Sequence, residues 1–261
     1  MPRPYQPRSI RYDFVTSQPF YDGRVLGRLL DALCDQPLLV PDLMGTDERR
    51  LDAFDPARWP RTPGAPNQVT LYLARTKRIK YRPAVISTDR FPRLTIDFDK
   101  STAEQDDPSI FDGADAVAEA CLPDMAFVHF TAQVRLPAAQ PSDRLQKVMD
   151  LAADGQRSDW RDFGPRGLAM RTYIGPLLLE QLGRERVMSL PIPTRALAWG
   201  GVRVDLADTP WQASQEQLQK GWLEAMEHLR PSGVFATYEI ANDRAVRWTR
   251  GPNLQKTGGR T

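Results

Sequence analysis

A strand–helix–strand pattern occurs twice in this sequence, and the two copies are separated by a constant offset of 108 residues. The first copy covers residues 92–130 and the second covers residues 200–238. The residues that are identical at this offset are Asp97 and Asp205, Pro123 and Pro231, and Phe127 and Phe235. A constant offset over about 35 residues is what a duplicated structural unit leaves in a sequence. The sequence therefore predicts an internal duplication of a β-helix-β unit.

The remaining segments predict an α+β fold. Apolar and polar residues alternate in short runs such as 10–15, 69–74 and 93–98, which is typical of strands. Between these runs, apolar residues recur at helical spacing, most clearly over 218–229. The close spacing of the strands favours a mixed, mainly antiparallel sheet with helices packed on it.

Local signals also predict where some helices begin. Residues 46–54 have the composition of a short helix within a long loop, and Pro141 opens another helix. The run Thr209-Pro-Trp-Gln212 fits a capping box with proline at the first helical position. We therefore expect a helix to begin near Thr209, with Leu218, Trp222, Ala225, Met226 and Leu229 on one face.

The chain length allows one large domain or two small ones. A polar, glycine-containing segment near 157–167 divides the pattern into two parts. We expect an N-terminal α+β half over 1–150 and a C-terminal α+β half over 151–250, which can also form one continuous domain. Residues 251–261 are expected to be a disordered basic tail.

The positive charge of the chain is concentrated at its ends. The first eleven residues contain three arginines and no acidic residue, and the last twelve contain Arg250, Lys256 and Arg260 and again no acidic residue. The net charge is only +2, so the rest of the chain is acidic. A nucleic-acid-binding protein keeps its positive charge on a folded face, so no DNA or RNA partner is expected.

The N-terminus lacks the apolar segment of a signal peptide. No run approaches the roughly 18 uninterrupted apolar residues of a membrane span. We therefore expect a cytoplasmic protein that does not contact a membrane.

Residues that commonly carry chemistry are few. The two histidines, His129 and His228, have no nucleophile motif beside them, and no phosphate-binding glycine motif occurs. Cys34 and Cys121 lie in apolar helical patterns, which indicates core packing. Two histidines and two cysteines far apart match no zinc spacing. We expect no catalytic residue, no metal and no cofactor.

Asp97, Asp99 and Lys100 support an alternative hypothesis. Two carboxylates two residues apart at a strand end can project to one side, bind Mg²⁺ and activate a water molecule, as in a metal-dependent hydrolase. The second copy has Asp205 but no following lysine, which weakens this hypothesis. Asp97 and Asp205 can instead be structurally equivalent positions that bond a neighbouring backbone amide.

The C-terminal half carries a family resemblance. Residues 167–183 lead into Trp199-Gly-Gly-Val-Arg-Val-Asp-Leu206, and His228-Leu-Arg-Pro231 precedes a final strand. These residues resemble the immunity protein 52 family of bacterial polymorphic-toxin and type VI secretion systems. The resemblance is strongest over 165–250, and the N-terminal half fits it only in the order of elements. The family-like positions, for which we expect a structural role, are Trp199, Gly200, Gly201, Asp205 and Pro231.

The resemblance implies a protein that binds a cognate secreted toxin and neutralises it by occluding its active site. In this family the toxin is often a nuclease of restriction-endonuclease type. A nuclease has a basic groove, and acidic residues of this chain can meet it. The candidate partner-binding residues are Glu104, Asp106, Asp107, Asp112 and Asp115. The alternatives are a binding or scaffold module outside toxin systems and the hydrolase described above. The sequence does not assign an oligomeric state.

Overall fold

The structure is a computed structural model that describes residues 7–18, 23–37, 39–58, 68–77, 79–88, 92–99, 108–132, 141–153, 160–241 and 245–255. The chain divides into two compact units, one over residues 7–130 and the other from Thr131 onwards. Glu104, Asp106 and Asp107 of the predicted acidic loop lie outside the described residues.

The N-terminal unit is built on an antiparallel meander. Its strands are β1 (Pro7–Val15), β2 (Leu43–Asp47), β3 (Arg50–Ala53), β4 (Gln68–Ala74), β5 (Tyr81–Thr88), β6 (Arg93–Phe98) and β7 (Met125–Ala132). In the sheet their order is β3-β2-β4-β5-β6-β1-β7. Helices α1 (Gly23–Cys34) and α2 (Ser109–Cys121) pack against each other.

Aromatic side chains join the sheet of this unit to its helices. Tyr12 of β1 is fully buried, and its ring meets the edge of Phe98 at a centroid distance of 4.8 Å. Its hydroxyl donates a hydrogen bond to the carbonyl oxygen of Ile110 in α2. Burying such rings contributes most of the stability of a core, and a buried hydroxyl needs this kind of partner.

The C-terminal unit contains short strands and several helices. Its elements are α3 (Pro141–Ala152), α4 (Trp160–Phe163), β8 (Arg171–Ile174), α5 (Pro176–Leu182), α6 (Arg184–Met188), β9 (Thr194–Ala196), β10 (Val202–Asp205), α7 (Gln215–Leu229), β11 (Thr237–Ala241) and β12 (Ala245–Thr249). Strands β8, β10 and β9 form one antiparallel sheet in that order, and β11 and β12 form a separate hairpin. Helix α7 contacts α3 and α6. The predicted α+β class, with mostly antiparallel sheets, is confirmed.

The two predicted copies of the repeat share a strand and a helix. They correspond to β6-α2-β7 and β10-α7-β11. Asp97 of β6 lies directly opposite Arg11 of β1, and Asp205 of β10 lies directly opposite Arg171 of β8. Each carboxylate therefore bonds an arginine from the adjacent antiparallel strand, where the sequence suggested a backbone amide. The copies differ at the last strand, because β7 lies beside β1 whereas β11 pairs with β12.

Two predicted helix starts are wrong. Residues 46–54 include the end of β2 and all of β3, because pairing of β2 with β4 overrides the local helical composition. The Thr209–Gln212 segment is a turn, in which the backbone N–H of Gln212 donates to the carbonyl of Thr209 at 3.0 Å. Helix α7 begins at Gln215 with Ser214 as its N-cap, and Ser214 and Gln217 form the capping box.

The predicted disordered tail is packed as far as Gln255. Leu254 is buried, and the Arg250 guanidinium donates to the carbonyl oxygens of Asp162 and Leu254. These bonds tie the chain end to α4, and composition alone does not show them. Residues 256–261 lie outside the described residues.

Candidate functional site

An open apolar groove of about 1090 Å³ lies between α7 and the start of β11 in the C-terminal unit. We call it the α7–β11 groove. Its apolar lining is formed chiefly by Trp222, Leu223, Met226, Phe235, Ala236 and Tyr238. Concave apolar surfaces of this kind are where proteins bind ligands and partners.

The sequence of α7 explains one wall of the groove. Trp222 lies on the buried face, where its indole N–H donates to the carbonyl of Leu168 at 3.1 Å. Leu223 is the next residue of α7 and lies outside the buried face of the helix, with 50% of its surface exposed. Met226, which the helical spacing assigned to the core face, is half-buried and lines the groove. In the sequence, the position of Leu223 next to the buried face of the helix was the signal that could have indicated this wall of the groove.

A tight turn joins this wall to β11. The turn is a 3-10 segment over Arg230–Ser232 that follows α7 directly and ends at Gly233 in the left-handed conformation. Pro231 therefore lies in this turn. Because the turn is short, Phe235 and Tyr238 line the same groove as Leu223 and Met226.

Aromatic and arginine side chains lie beside the groove. Tyr238 and Trp248 are cross-strand partners in the β11–β12 hairpin, and their ring centroids are 5.5 Å apart. The Arg166 guanidinium lies over the Trp248 ring at 5.4 Å. Tyrosine, tryptophan and arginine are the residue types that contribute most binding energy in protein interfaces.

The charged residues of the groove differ in how firmly they are paired. Arg230 bonds Glu227 at 2.6 Å. The carboxylate of Glu224 is 3.9 Å from the ammonium of Lys220, and both side chains are well exposed, so the attraction is weak. Glu224 is therefore the charge in the groove that a partner can most readily bind.

A serine–histidine pair, which the sequence did not predict, lies at one end of the groove. The Nε2 atom of His228 is 3.2 Å from the hydroxyl of Ser189 and 3.0 Å from the carbonyl oxygen of Arg186. A carbonyl oxygen only accepts hydrogen bonds, so Nε2 carries the proton and donates it. It cannot then remove a proton from Ser189. The pair ties the end of α6 to α7, and its role is structural.

The predicted acidic residues lie in the N-terminal unit. Asp112 is exposed and Asp115 is half-buried, one turn apart on α2. Neither lines the α7–β11 groove. The sequence thus predicts partner-binding residues on α2, whereas the concave apolar surface lies at α7 and β11.

The Trp199-Gly200-Gly201 motif forms the turn between β9 and β10. Gly200 has φ +92, and a side chain added at Gly201 would meet the Trp199 ring at 2.1 Å. Two backbone bonds between Leu197 and the glycines close the turn. The residues of this motif therefore set the geometry of a hairpin.

The aspartates of the hydrolase hypothesis do not form a pair that is open to a metal. Asp97 bonds the Nε atom of Arg11 at 2.6 Å, while Asp99 is exposed. In the part of the chain that the structure describes, no group of three histidine, cysteine or acidic residues is arranged to hold a metal ion. Lys100 lies outside the described residues.

The two cysteines are both at least partly buried. Burial raises the pKa of the Cys121 thiol to about 12, against the smaller opposing effect of Arg28, so this thiol stays protonated. Cys34 is half-buried in α1.

No helix among the described residues has the length and apolar character needed to cross a membrane.

Comparison with known proteins gives a likeness of fold. Models of protein families give no match to this chain, and curated proteins give none either. Among solved structures, the fold is similar to that of the Pseudomonas aeruginosa T6SS protein PA0821. The TM-score is 0.56 at 11% sequence identity, and the match covers 85% of this chain and 75% of that chain. At this identity the likeness concerns the fold alone, and membership of the immunity protein 52 family stays a prediction.

Proposed function

We propose that this chain is an immunity protein, which binds a cognate secreted toxin and neutralises it by covering the toxin's active site. The observation that carries the proposal is the fold likeness to a T6SS protein over 85% of this chain. It agrees with the secretion context that the Trp199–Leu206 and His228–Pro231 motifs suggest. We further propose that the toxin is a nuclease of restriction-endonuclease type.

The surface chemistry supports binding as the mode of action. The exposed large apolar residues among those described all lie in the C-terminal unit, and they are Phe163, Leu177, Met188, Leu223 and Tyr238. Apolar side chains that stay exposed in a folded chain mark interaction sites when they line a concave surface. Leu223 and Tyr238 meet this condition, since both line the α7–β11 groove.

Acidic residues of the N-terminal unit have a separate role in this proposal. Asp112, Asp115 and the predicted loop residues Glu104, Asp106 and Asp107 would attract the basic groove of a nuclease. Such charges mainly raise the association rate, whereas buried apolar anchors set the dissociation rate. Replacing Asp112 by lysine should therefore slow association, with a smaller effect on dissociation.

A growth experiment tests the proposal. The product of the adjacent gene is expressed in a sensitive bacterial host, with and without this chain, and the two proteins are then co-purified. Rescue of growth together with a stable complex is the expected result. Toxicity that this chain does not relieve would contradict the proposal.

A further inference from the structure

We infer that the α7–β11 groove binds an extended, apolar and basic segment of the toxin, which adds as a strand to the open edge of β11. This inference rests on the proposed function and names the contact surface that it requires. It assigns the apolar anchors to a site in the C-terminal unit, separate from the acidic residues of α2.

The first argument is the open edge of β11. Within the described residues, β11 pairs with β12 and with no other strand. The groove is lined by Thr237 and Tyr238 at the start of β11 and by no residue of β12, and in our inference it borders the edge of β11 that faces away from β12. An open strand edge presents backbone N–H and C=O groups that a second chain can pair with.

The hydrogen bond that precedes β11 shows where this edge begins. The N–H of Ala236 donates to the carbonyl of Pro165 at 2.8 Å, and the next residue of that segment, Arg166, lines the groove. Thr237, Tyr238 and Glu239 follow, and all three are exposed. An added strand would pair with those of their backbone groups that point away from β12, because alternate residues of a strand present N–H and C=O to opposite edges.

The dimensions of the groove limit the segment. The wall formed by α7 and its C-cap residue runs from Trp222 to Arg230, which is about 12 Å at 1.5 Å per helical residue. An extended chain rises about 3.3 Å per residue, so about four residues fit. Alternate side chains of such a segment point to the same side, where Leu223 and Met226 provide an apolar surface.

The charge that the segment carries follows from Glu224. Arg230 is already held by Glu227, and Arg166 lies on Trp248, whereas the ion pair that Glu224 makes among the described residues is the longer one with Lys220. A lysine or arginine in the segment would give Glu224 a closer partner. This complementarity favours a basic segment, and basic segments are what a nuclease offers near its substrate groove.

Matched variants test the groove. Leu223→Asp changes an exposed leucine inside the groove, and Leu177→Asp changes a leucine of similar exposure, 46%, on α5 outside it. Binding is measured to the purified product of the adjacent gene in an inactivated form. We expect Leu223→Asp to raise Kd at least about tenfold, as loss of an interface anchor does, and Leu177→Asp to change it less than about twofold.

A second pair of variants tests the role of the Glu224 charge. Glu224→Lys should lower the association rate constant about tenfold at low salt, and the effect should shrink as salt is added. Glu180→Lys, an exposed change on α5, should leave the rate unchanged. Equal effects of the two lysine variants would overturn the assignment of a basic segment.

Hydrogen exchange tests the conformation of the bound segment. Pairing at the edge of β11 should slow exchange of those amides in Thr237–Glu239 that point away from β12 when the toxin binds. Binding that leaves these amides unprotected would overturn strand addition.

The outcomes separate this inference from the proposed function. If the wild-type chain forms no complex with the toxin, the proposed function fails. If the wild type binds and Leu223→Asp binds equally well, the toxin docks elsewhere and only the groove inference fails. Self-association of the wild type that Leu223→Asp abolishes, with toxin binding unchanged, would make a second copy the occupant and would also overturn the inference.

Discussion

Asp97 and Asp205 occupy equivalent positions, each opposite an arginine on the adjacent strand, but their surroundings differ. The side chain of Asp97 is 43% exposed, whereas that of Asp205 is 5% exposed and also lies 3.1 Å from the Nε atom of Arg203. An exposed ion pair contributes little to stability, while a buried carboxylate that loses its partner is strongly destabilising. The same pattern in the sequence therefore carries different energetic weight in the two units.

Removing each arginine tests this difference. Arg171→Met removes an ion-pair partner of the buried Asp205 carboxylate and should lower the free energy of unfolding by about 3 kcal/mol. Arg11→Met should lower it by less than about 1 kcal/mol, because water reaches Asp97. Urea denaturation of both variants and the wild type measures the two values. Similar losses in the two variants would show that burial does not set the strength of these pairs.

The glycines of the family-like motif give a second prediction at this scale. Gly201→Ala should destabilise the chain because the added methyl group would overlap the Trp199 ring. In a Trp199→Ala background the same change should cost little, since the overlapping ring is gone. Thermal unfolding of the four members of this cycle checks the coupling. Additive losses would mean that Trp199 does not cover Gly201 in solution.

The sequence correctly predicts helix α7 but places its start too early, near Thr209. Thr209–Gln212 and Ser214–Gln217 both have the spacing of a capping box. The second forms, with the Ser214 hydroxyl accepting from the backbone N–H of Gln217 at 3.2 Å and the Gln217 side chain accepting from the backbone N–H of Ser214 at 2.8 Å.

Replacing each cap separates the two boxes. Ser214→Ala should lower the free energy of unfolding by about 1 kcal/mol, the usual contribution of an N-cap hydroxyl. Thr209→Ala is the matched control and should have a much smaller effect, because Thr209 lies in a turn before the helix. The measurement is again urea denaturation, and a larger loss for Thr209→Ala would place the helix start at the earlier box.

The β4–β5 turn depends on a single carboxylate. Asp42 accepts hydrogen bonds from the backbone N–H and hydroxyl of Thr76 and from the backbone N–H of Lys77. Burial alone would raise the pKa of Asp42, but these bonds outweigh it and lower the pKa to about 2. Ile79, at φ +60 in the same turn, is held in a conformation that is costly for a β-branched residue.

Acid should weaken this turn in a defined pH range. A lowered pKa in the folded state means that the Asp42 carboxylate stabilises the fold above about pH 4, and that this contribution is lost as the pH falls towards 2. Asp42→Asn should therefore be less stable than the wild type at pH 7, and the difference should vanish near pH 2. Thr76→Val removes one donor and should move this loss to higher pH. A difference between wild type and Asp42→Asn that does not depend on pH would contradict the account.

Much of the whole molecule follows from local patterns. The α+β class, helix α2 and the short helix α5 between Gly175 and Gly183 could all be predicted, because apolar periodicity and capping residues are encoded locally. Strand β8 was missed because only four residues form it, and they are buried on both faces without alternation. The packing of Leu254 depends on contacts distant in sequence, which one sequence does not encode visibly.

The candidate site was harder to predict than the fold. Charge in the sequence pointed to Asp112 and Asp115, whereas the groove is defined by Leu223 and Tyr238. An exposed leucine next to a buried tryptophan cannot be distinguished from a core residue until the helix is placed against its neighbours. Binding surfaces are apolar like cores, so hydrophobic pattern alone does not separate the two.

Titration of toxin activity tests the central claim, that this chain acts by binding, most directly. The purified product of the adjacent gene is assayed, as a nuclease first, while the wild-type chain is added at concentrations well above Kd. We predict that activity falls linearly and reaches zero at one equivalent, because each bound chain covers one active site. Activity that persists in the saturated complex, or that disappears when far less than one equivalent is added, would contradict stoichiometric occlusion.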